Sequence, residues 1–129
     1  MLDTNIISDL IRNPQGKAAK RIAKAGEDNI CTSIIVAAEL RYRGAKSNSK
    51  RLLKAVDDLL GEIHVLPFEV PADAEYGGIR SELETAGKPI GGNNVLIAAH
   101  AYATGATIVT ANTDEFRRIR GLNVENWLI

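Results

Sequence analysis

The stretch GGNNVLIAAHAYATGATIVTANTDEF, Gly91 to Phe116, holds a complete unit of an alternating architecture. The apolar run that starts at Val95-Leu96-Ile97-Ala98-Ala99-His100 has the pattern of an amphipathic helix, and Gly105 supplies the residue that ends it. Thr107-Ile108-Val109-Thr110 is a clear strand, and Asp114 to Arg118 reads as a helical turn. A helix feeding a short strand, which feeds a polar turn and another helix, is the unit from which parallel sheets are assembled.

The alternation continues on both sides of this unit. Met1–Asp3 reads as a strand end, and Asn5 to Arg12 as a helix stopped by Asn13-Pro14. Residues 16–25 form a second helix, with Lys17, Lys20, Arg21 and Lys24 on one face, and Ile30 to Thr32 is a short buried strand. Ser33 caps a helix that runs to about Arg43 and ends at Gly44. Residues 48–61 are helical and closed by Gly61, Ile63 to Leu66 is a strand ending at Pro67, and Pro71 opens a helix to Thr85. Leu122-Asn123-Val124 supplies a last short strand. Met1 is followed at once by a strand end, so the natural chain is expected to begin a few residues upstream. The pattern predicts one α/β domain over residues 1–129, a parallel sheet with helices on both faces. In such sheets the ligand crevice lies beyond the carboxyl ends of the strands, which selects Asp3 and the segment Thr110–Glu115.

Composition narrows the function classes. Hydrophobic residues make up 45% and charged residues 25%, a balance that excludes disorder. Sixteen basic and sixteen acidic residues cancel, so any nucleic-acid contact must come from local clustering. Arg41, Arg43, Lys46, Lys50, Arg51 and Lys54 form such a cluster with no acid between them. It is either a solvated face or a phosphate track. The single cysteine, Cys31, excludes an internal disulfide and a cysteine–histidine zinc site, and its apolar surroundings predict a buried structural thiol. No G-x-G-x-x-G or Walker loop is present, which argues against a nucleotide cofactor. With no signal peptide and no apolar run near roughly 18 residues, a soluble cytoplasmic protein is expected.

The candidates for chemistry are scattered acids and amides. Asp3 lies between a strand and a helix start, where it is either a helix cap or a site acid. Glu39 falls inside a strongly apolar helix, and an acid there is expected to point into a polar site. Asn112, Asp114 and Glu115 follow a strand, in an ordinary polar turn or at a site. His64 and His100 read as structural histidines. Carboxylate oxygens at strand ends and helix starts suit hard cations such as Mg²⁺ or Mn²⁺.

Taken together, MLDTNIIS, SIIVAAELRYRGA, GKPIGGNNVLIAAHA, ATIVTANTDEF and GLNVENW resemble, in order, segments of the PIN-domain ribonucleases, specifically the VapC-type toxins of bacterial toxin–antitoxin pairs. The resemblance spans nearly the whole chain. It implies a three-layer α/β/α fold, Mg²⁺- or Mn²⁺-dependent endoribonuclease activity on structured RNA such as initiator tRNA, and a homodimer. It also implies a cognate VapB-type antitoxin that occupies the acidic groove and delivers an arginine to the carboxylates. Carried over position by position, Asp3 matches the first metal-binding acid and Glu39 the second. Asn94 falls on the third, where the family has aspartate, and Asn112 on the fourth, with Glu115 as a nearby acid able to take that role. Thr4, Asn5, Thr110 and Thr113 are expected to support these positions, and Arg41, Arg43, Lys46, Lys50 and Arg51 to contact RNA.

Asn94 departs from the family pattern, and the departure has a physical meaning. Asparagine keeps the shape of aspartate but offers one neutral acceptor oxygen and an NH₂ donor. A unit charge about 4 Å from a unit cation is worth roughly 4 kcal/mol at an effective dielectric near 20, and more for a divalent ion. Metal affinity is therefore expected to fall while the helix start survives, because asparagine caps as well as aspartate. The chain as written is expected to be a catalytically impaired Asp→Asn variant, engineered or natural. Two rival readings are a PIN nuclease acting outside toxin–antitoxin systems and a non-catalytic RNA- or antitoxin-binding module.

Overall fold

The computed structural model describes all 129 residues. Four short strands, β1 (Cys31–Ser33), β2 (His64–Leu66), β3 (Ile108–Val109) and β4 (Val124–Glu125), alternate with helices. The pairs β1–β2 and β3–β4 are both parallel. Leu2 joins them, bridging in parallel to Thr32 on one side and Val109 on the other. The spatial order is therefore β2, β1, the Leu2 segment, β3, β4. Chain order runs outward in one direction from Leu2 to β2 and then restarts on its other side with β3. Leu2 and β3 thus flank the point at which the topology reverses, and crevices of parallel sheets form beyond the carboxyl ends of such a pair. Asp3 and Thr110 are the residues that follow them.

Seven α-helices accompany the strands: α1 (Thr4–Arg12), α2 (Lys17–Ala25), α3 (Ile34–Ser47), α4 (Lys50–Glu62), α5 (Ala72–Thr85), α6 (Gly92–Thr104) and α7 (Thr113–Phe116). Side chains set their starts. The Asp3 carboxylate accepts from Thr4 N at α1, the Ser33 hydroxyl from Ile35 N at α3, and the Ser49 hydroxyl from Leu52 N at α4. Gly105 ends α6 in the left-handed conformation, as its position predicted. One core of 23 buried residues runs through the molecule, including Leu2, Ile6, Val36, Leu40, Ile97, Ile108 and Phe116.

Three local expectations need correction. Gly44 does not end its helix, since α3 continues to Ser47 and Asn48 in the left-handed region closes it. Gly44 is buried where α3 meets α4, and a β-carbon there would lie 2.9 Å from Leu53 Cδ2. It is a close-approach glycine, and that role cannot be told from a stop signal by local pattern. The last strand lies at Val124–Glu125, later than expected. Its position is fixed by pairing, with Ile108 N donating to Asn123 O and Thr110 N to Glu125 O. Cys31 is half-buried at the start of β1 and not enclosed.

Candidate functional site

The crevice beyond Leu2 and β3 holds an unbroken chain of polar contacts. Asp3, only 3% exposed, caps α1. Its Oδ1 accepts from Thr4 N at 2.8 Å, and its Oδ2 from Thr110 Oγ1 at 2.7 Å and Asn5 Nδ2 at 3.2 Å. Burial pushes the Asp3 carboxyl above its usual range, and nearby Glu39 adds to the rise, while the donors from Thr110, Thr4 and Asn5 oppose it. Thr4 also turns its hydroxyl to Glu39 Oε1 at 2.8 Å, so one threonine ties the two acids of α1 and α3 together. Asn5 completes this side by accepting from Ala111 N at 2.9 Å.

From Thr110 the chain runs to the other side of the crevice. Asn112 N donates to Thr110 Oγ1 at 3.0 Å, and Asn112 Nδ2 donates to Glu115 Oε2. The same Glu115 oxygen accepts from Asn94 Nδ2 at 3.3 Å, and its Oε1 accepts from Gly91 N at 3.1 Å. Those contacts, Asn112 first, together with the Arg118 charge, hold the Glu115 carboxyl below its usual range. An ionised carboxylate only accepts, so both amide groups must turn their NH₂ ends toward it. Glu115 therefore fastens the start of α6 to the start of α7.

Of the residues singled out in the sequence, Asp3, Thr4, Asn5, Glu39, Asn94, Thr110, Asn112 and Glu115 all lie on this one network. Thr113 opens α7 and contributes its carbonyl to Arg117 N, with no side-chain contact to the site. The basic cluster divides. Arg41 forms an ion pair with Asp57, which α4 carries across to it, and Lys54 pairs with Asp58 one turn further along α4 itself. Arg43 and Lys46 line an open groove with Glu39. Lys50 and Arg51 are exposed in the first turn of α4. Two contacts had no sequence signal: the Gly91 backbone donor to Glu115, and the buried pairing of His100 Nδ1 with Ser33 Oγ at 2.7 Å. His64 is exposed on β2.

The donor set suits a hard cation in kind and falls short in charge. Asp3 and Glu39 supply carboxylate oxygens, whereas Asn94 and Asn112 supply neutral amides. No three acidic, histidine or cysteine side chains converge to hold a metal ion. Asn94 lies beside Glu115 at the same end of the sheet, its amide donating to that carboxylate.

The chain as a whole is similar to known proteins. The PIN domain family matches residues 1–122. The chain is 40% identical to ribonuclease VapC2 of Rickettsia felis over 129 residues, covering 98% of this chain and 96% of that protein. It is 37% identical to the tRNA(fMet)-specific endonuclease VapC of Shigella flexneri over 128 residues, covering 98% and 96% of the two chains. The crystal structure of VapBC2 from Rickettsia felis bound to a DNA fragment from their promoter contains a chain that superposes with a TM-score of 0.92 at 37% identity, covering 98% of this chain and 97% of that one. Agreement of sequence and fold over nearly the full length, with the acidic crevice at the point where the sheet order reverses, leads to one conclusion: this chain belongs to the VapC ribonucleases of the PIN domain family, with the α/β/α fold that family shares.

Proposed function

We propose that this protein is the toxin of a toxin–antitoxin pair, a metal-dependent endoribonuclease whose own metal affinity is lowered by Asn94. The observation that carries the reading is the hydrogen-bonded network that joins Glu39, Asp3, Thr110, Asn112, Glu115 and Asn94 across one crevice. Such a network holds oxygen donors rigidly before a ligand arrives, which is what preorganised catalysis requires.

When bound, a divalent ion such as Mg²⁺ or Mn²⁺ would supply positive charge for the phosphate and acidity for water at the site. Asp3 and Glu39, with the amide oxygens of Asn94 and Asn112, would hold it. Thr4 sets the two acids against each other through its N–H and its hydroxyl. Glu39 Oε1 is engaged by Thr4, which leaves its second oxygen to orient water toward the scissile phosphodiester. Asp3 is anchored by three donors, so its position does not depend on the ion. Arg43 and Lys46, beside Glu39, neutralise RNA phosphates.

The relative named for tRNA(fMet) supports a tRNA substrate, with initiator tRNA as the leading case. The relatives solved as VapBC complexes support a cognate VapB-type antitoxin as the protein partner. The reading is completed by a homodimer of single-domain chains, residues 1–129, acting in the cytoplasm; no helix is long and apolar enough to cross a membrane.

A second reading has one observation in its favour. Both amides donate to Glu115, a contact that a non-catalytic RNA- or antitoxin-binding module would also keep. Cleavage assays separate the two. Asn94→Asp with Mg²⁺ is expected to cut tRNA, to stop when the ion is chelated, and to lose activity when Asp3→Ala is added. An Asn94→Asp protein that cuts no RNA with Mg²⁺ or Mn²⁺ overturns the nuclease reading.

A further inference from the structure

Glu39 lies on a stripe of α3 that starts with Ile35 against the core and ends in exposed Tyr42, Arg43 and Lys46. Residues 35, 39, 42, 43 and 46 follow the helical spacing that brings side chains onto one face. They line an open groove of about 580 Å³ in which Ile35, Glu39, Tyr42, Arg43, Lys46 and Leu96 take part. That volume falls within the range of sites that hold a small organic group. Tyr42 is 64% exposed, although aromatic rings usually find burial in a core. Lys46 Nζ stands 5.9 Å from the Tyr42 ring centroid, over its face. Neither Arg43 nor Lys46 enters any of the chain's ion pairs, whereas Arg41 and Lys54 are both matched by acids of α4.

We infer that Tyr42 is a stacking platform for one unpaired nucleobase of the RNA substrate, placing the adjoining phosphates between Arg43 and Lys46 and the next phosphodiester at Glu39. The inference rests on the nuclease reading above and adds to it a residue that selects substrate. Single-stranded nucleic acid is gripped by this combination of an aromatic face and flanking cations, since every base has a π-face and every link a charge. The charges in the groove fit that occupant. Two unpaired cations meet the phosphates, the ring meets the base, and the only acid in the groove is Glu39, at the site of reaction. An acidic or purely apolar peptide would leave one of these features without a counterpart. Such a platform would favour a loop or other unpaired segment, because a base inside a duplex presents no free face.

The test is binding of a short fluorescent single-stranded RNA to the protein as it stands, read by anisotropy at fixed salt, so that no cleavage confuses the measurement. Tyr42→Ala is expected to weaken binding about 5- to 150-fold, the span of one lost base–aromatic stack. Tyr42→Phe keeps the ring and is expected to bind as the parent does. Tyr102→Ala, which removes an exposed ring from α6 on a different surface, is the control and is expected to change nothing. A series of oligonucleotides with one abasic position supplies a further readout. One position is expected to weaken binding to the parent and to be neutral in Tyr42→Ala. If Tyr42→Ala binds every oligonucleotide as the parent does, the platform is wrong while the nuclease reading stands. A parent protein that binds no RNA overturns both. If Tyr42→Ala changes the sedimentation mass and not RNA affinity, the ring belongs to a contact between copies and the inference fails.

Discussion

Asn94 offers Glu115 an NH₂ donor at the point where an aspartate would offer an oxygen. In Asn94→Asp two carboxylates would face each other across that contact, beside the Asn112 amide that already serves Glu115. Like charges this close disfavour ionisation of one partner unless a cation lies between them. The metal-free Asn94→Asp protein is therefore expected to melt at a lower temperature than the parent. Added Mg²⁺ is expected to restore it with a larger upward shift than the parent shows, because ligand binding to the folded state stabilises by mass action. Differential scanning fluorimetry over a Mg²⁺ series checks both directions. Equal responses from the two proteins would mean that residue 94 takes no part in metal binding. This position could be singled out in the sequence only through the resemblance to the PIN-domain family, which has aspartate where this chain has Asn94; the glycines and the helix start alone read as a polar cap. Its partner was less legible, since Glu115 reaches back 21 residues through a contact only the folded crevice creates.

Between elements, the contact of His100 with Ser33 links α6 to the cap of α3, the helix that carries Glu39. Burial pushes the His100 imidazole below its ordinary pKa, while a hydrogen bond to the Pro67 carbonyl and the charge of Glu69 act the other way. The folded state thus binds this proton more weakly than the unfolded chain does. Its contribution to stability is complete above the unfolded value, near pH 6.5, and is lost as pH falls through the lower folded value. Melting temperatures followed from pH 7.5 down to about 5 are expected to fall more steeply for the parent than for His100→Gln. Gly44 makes a second link at this scale. Gly44→Ala meets only the flexible tip of Leu53 and gains helix propensity, so it is expected to stay within about 1 kcal/mol of the parent. Gly44→Val adds bulk that α4 cannot clear, and urea denaturation is expected to show a loss of about 1–3 kcal/mol. The sequence could not separate this glycine from a helix stop because its constraint comes from Leu53, on another helix. For the same reason the match of Arg41 with Asp57 stayed hidden: their distance in sequence says nothing of how α3 and α4 lie together.

For the whole molecule, the sheet order accounts for the position of the site. Leu2 and β3 are neighbours although more than 100 residues separate them, and Asp3 N donates to Val109 O at 2.9 Å. The residues just beyond them, Asp3 and Thr110, are brought into contact by that pairing alone. This much could be read from the sequence, because each strand is a short apolar run ending in a polar residue and parallel sheets put such ends on one side. The exact placement of β4 could not, since its register is set by β3 and its own residues carry little apolar pattern. We propose that the crevice keeps the shape of a VapC nuclease site while Asn94 lowers its cation affinity. Isothermal titration calorimetry of Mn²⁺ into the parent and into Asn94→Asp, at neutral pH and equal salt, addresses it directly. Asn94→Asp is expected to bind at least tenfold more tightly, because one more carboxylate near a divalent ion is worth well over about 1.4 kcal/mol. Equal affinities in the two proteins would contradict the claim.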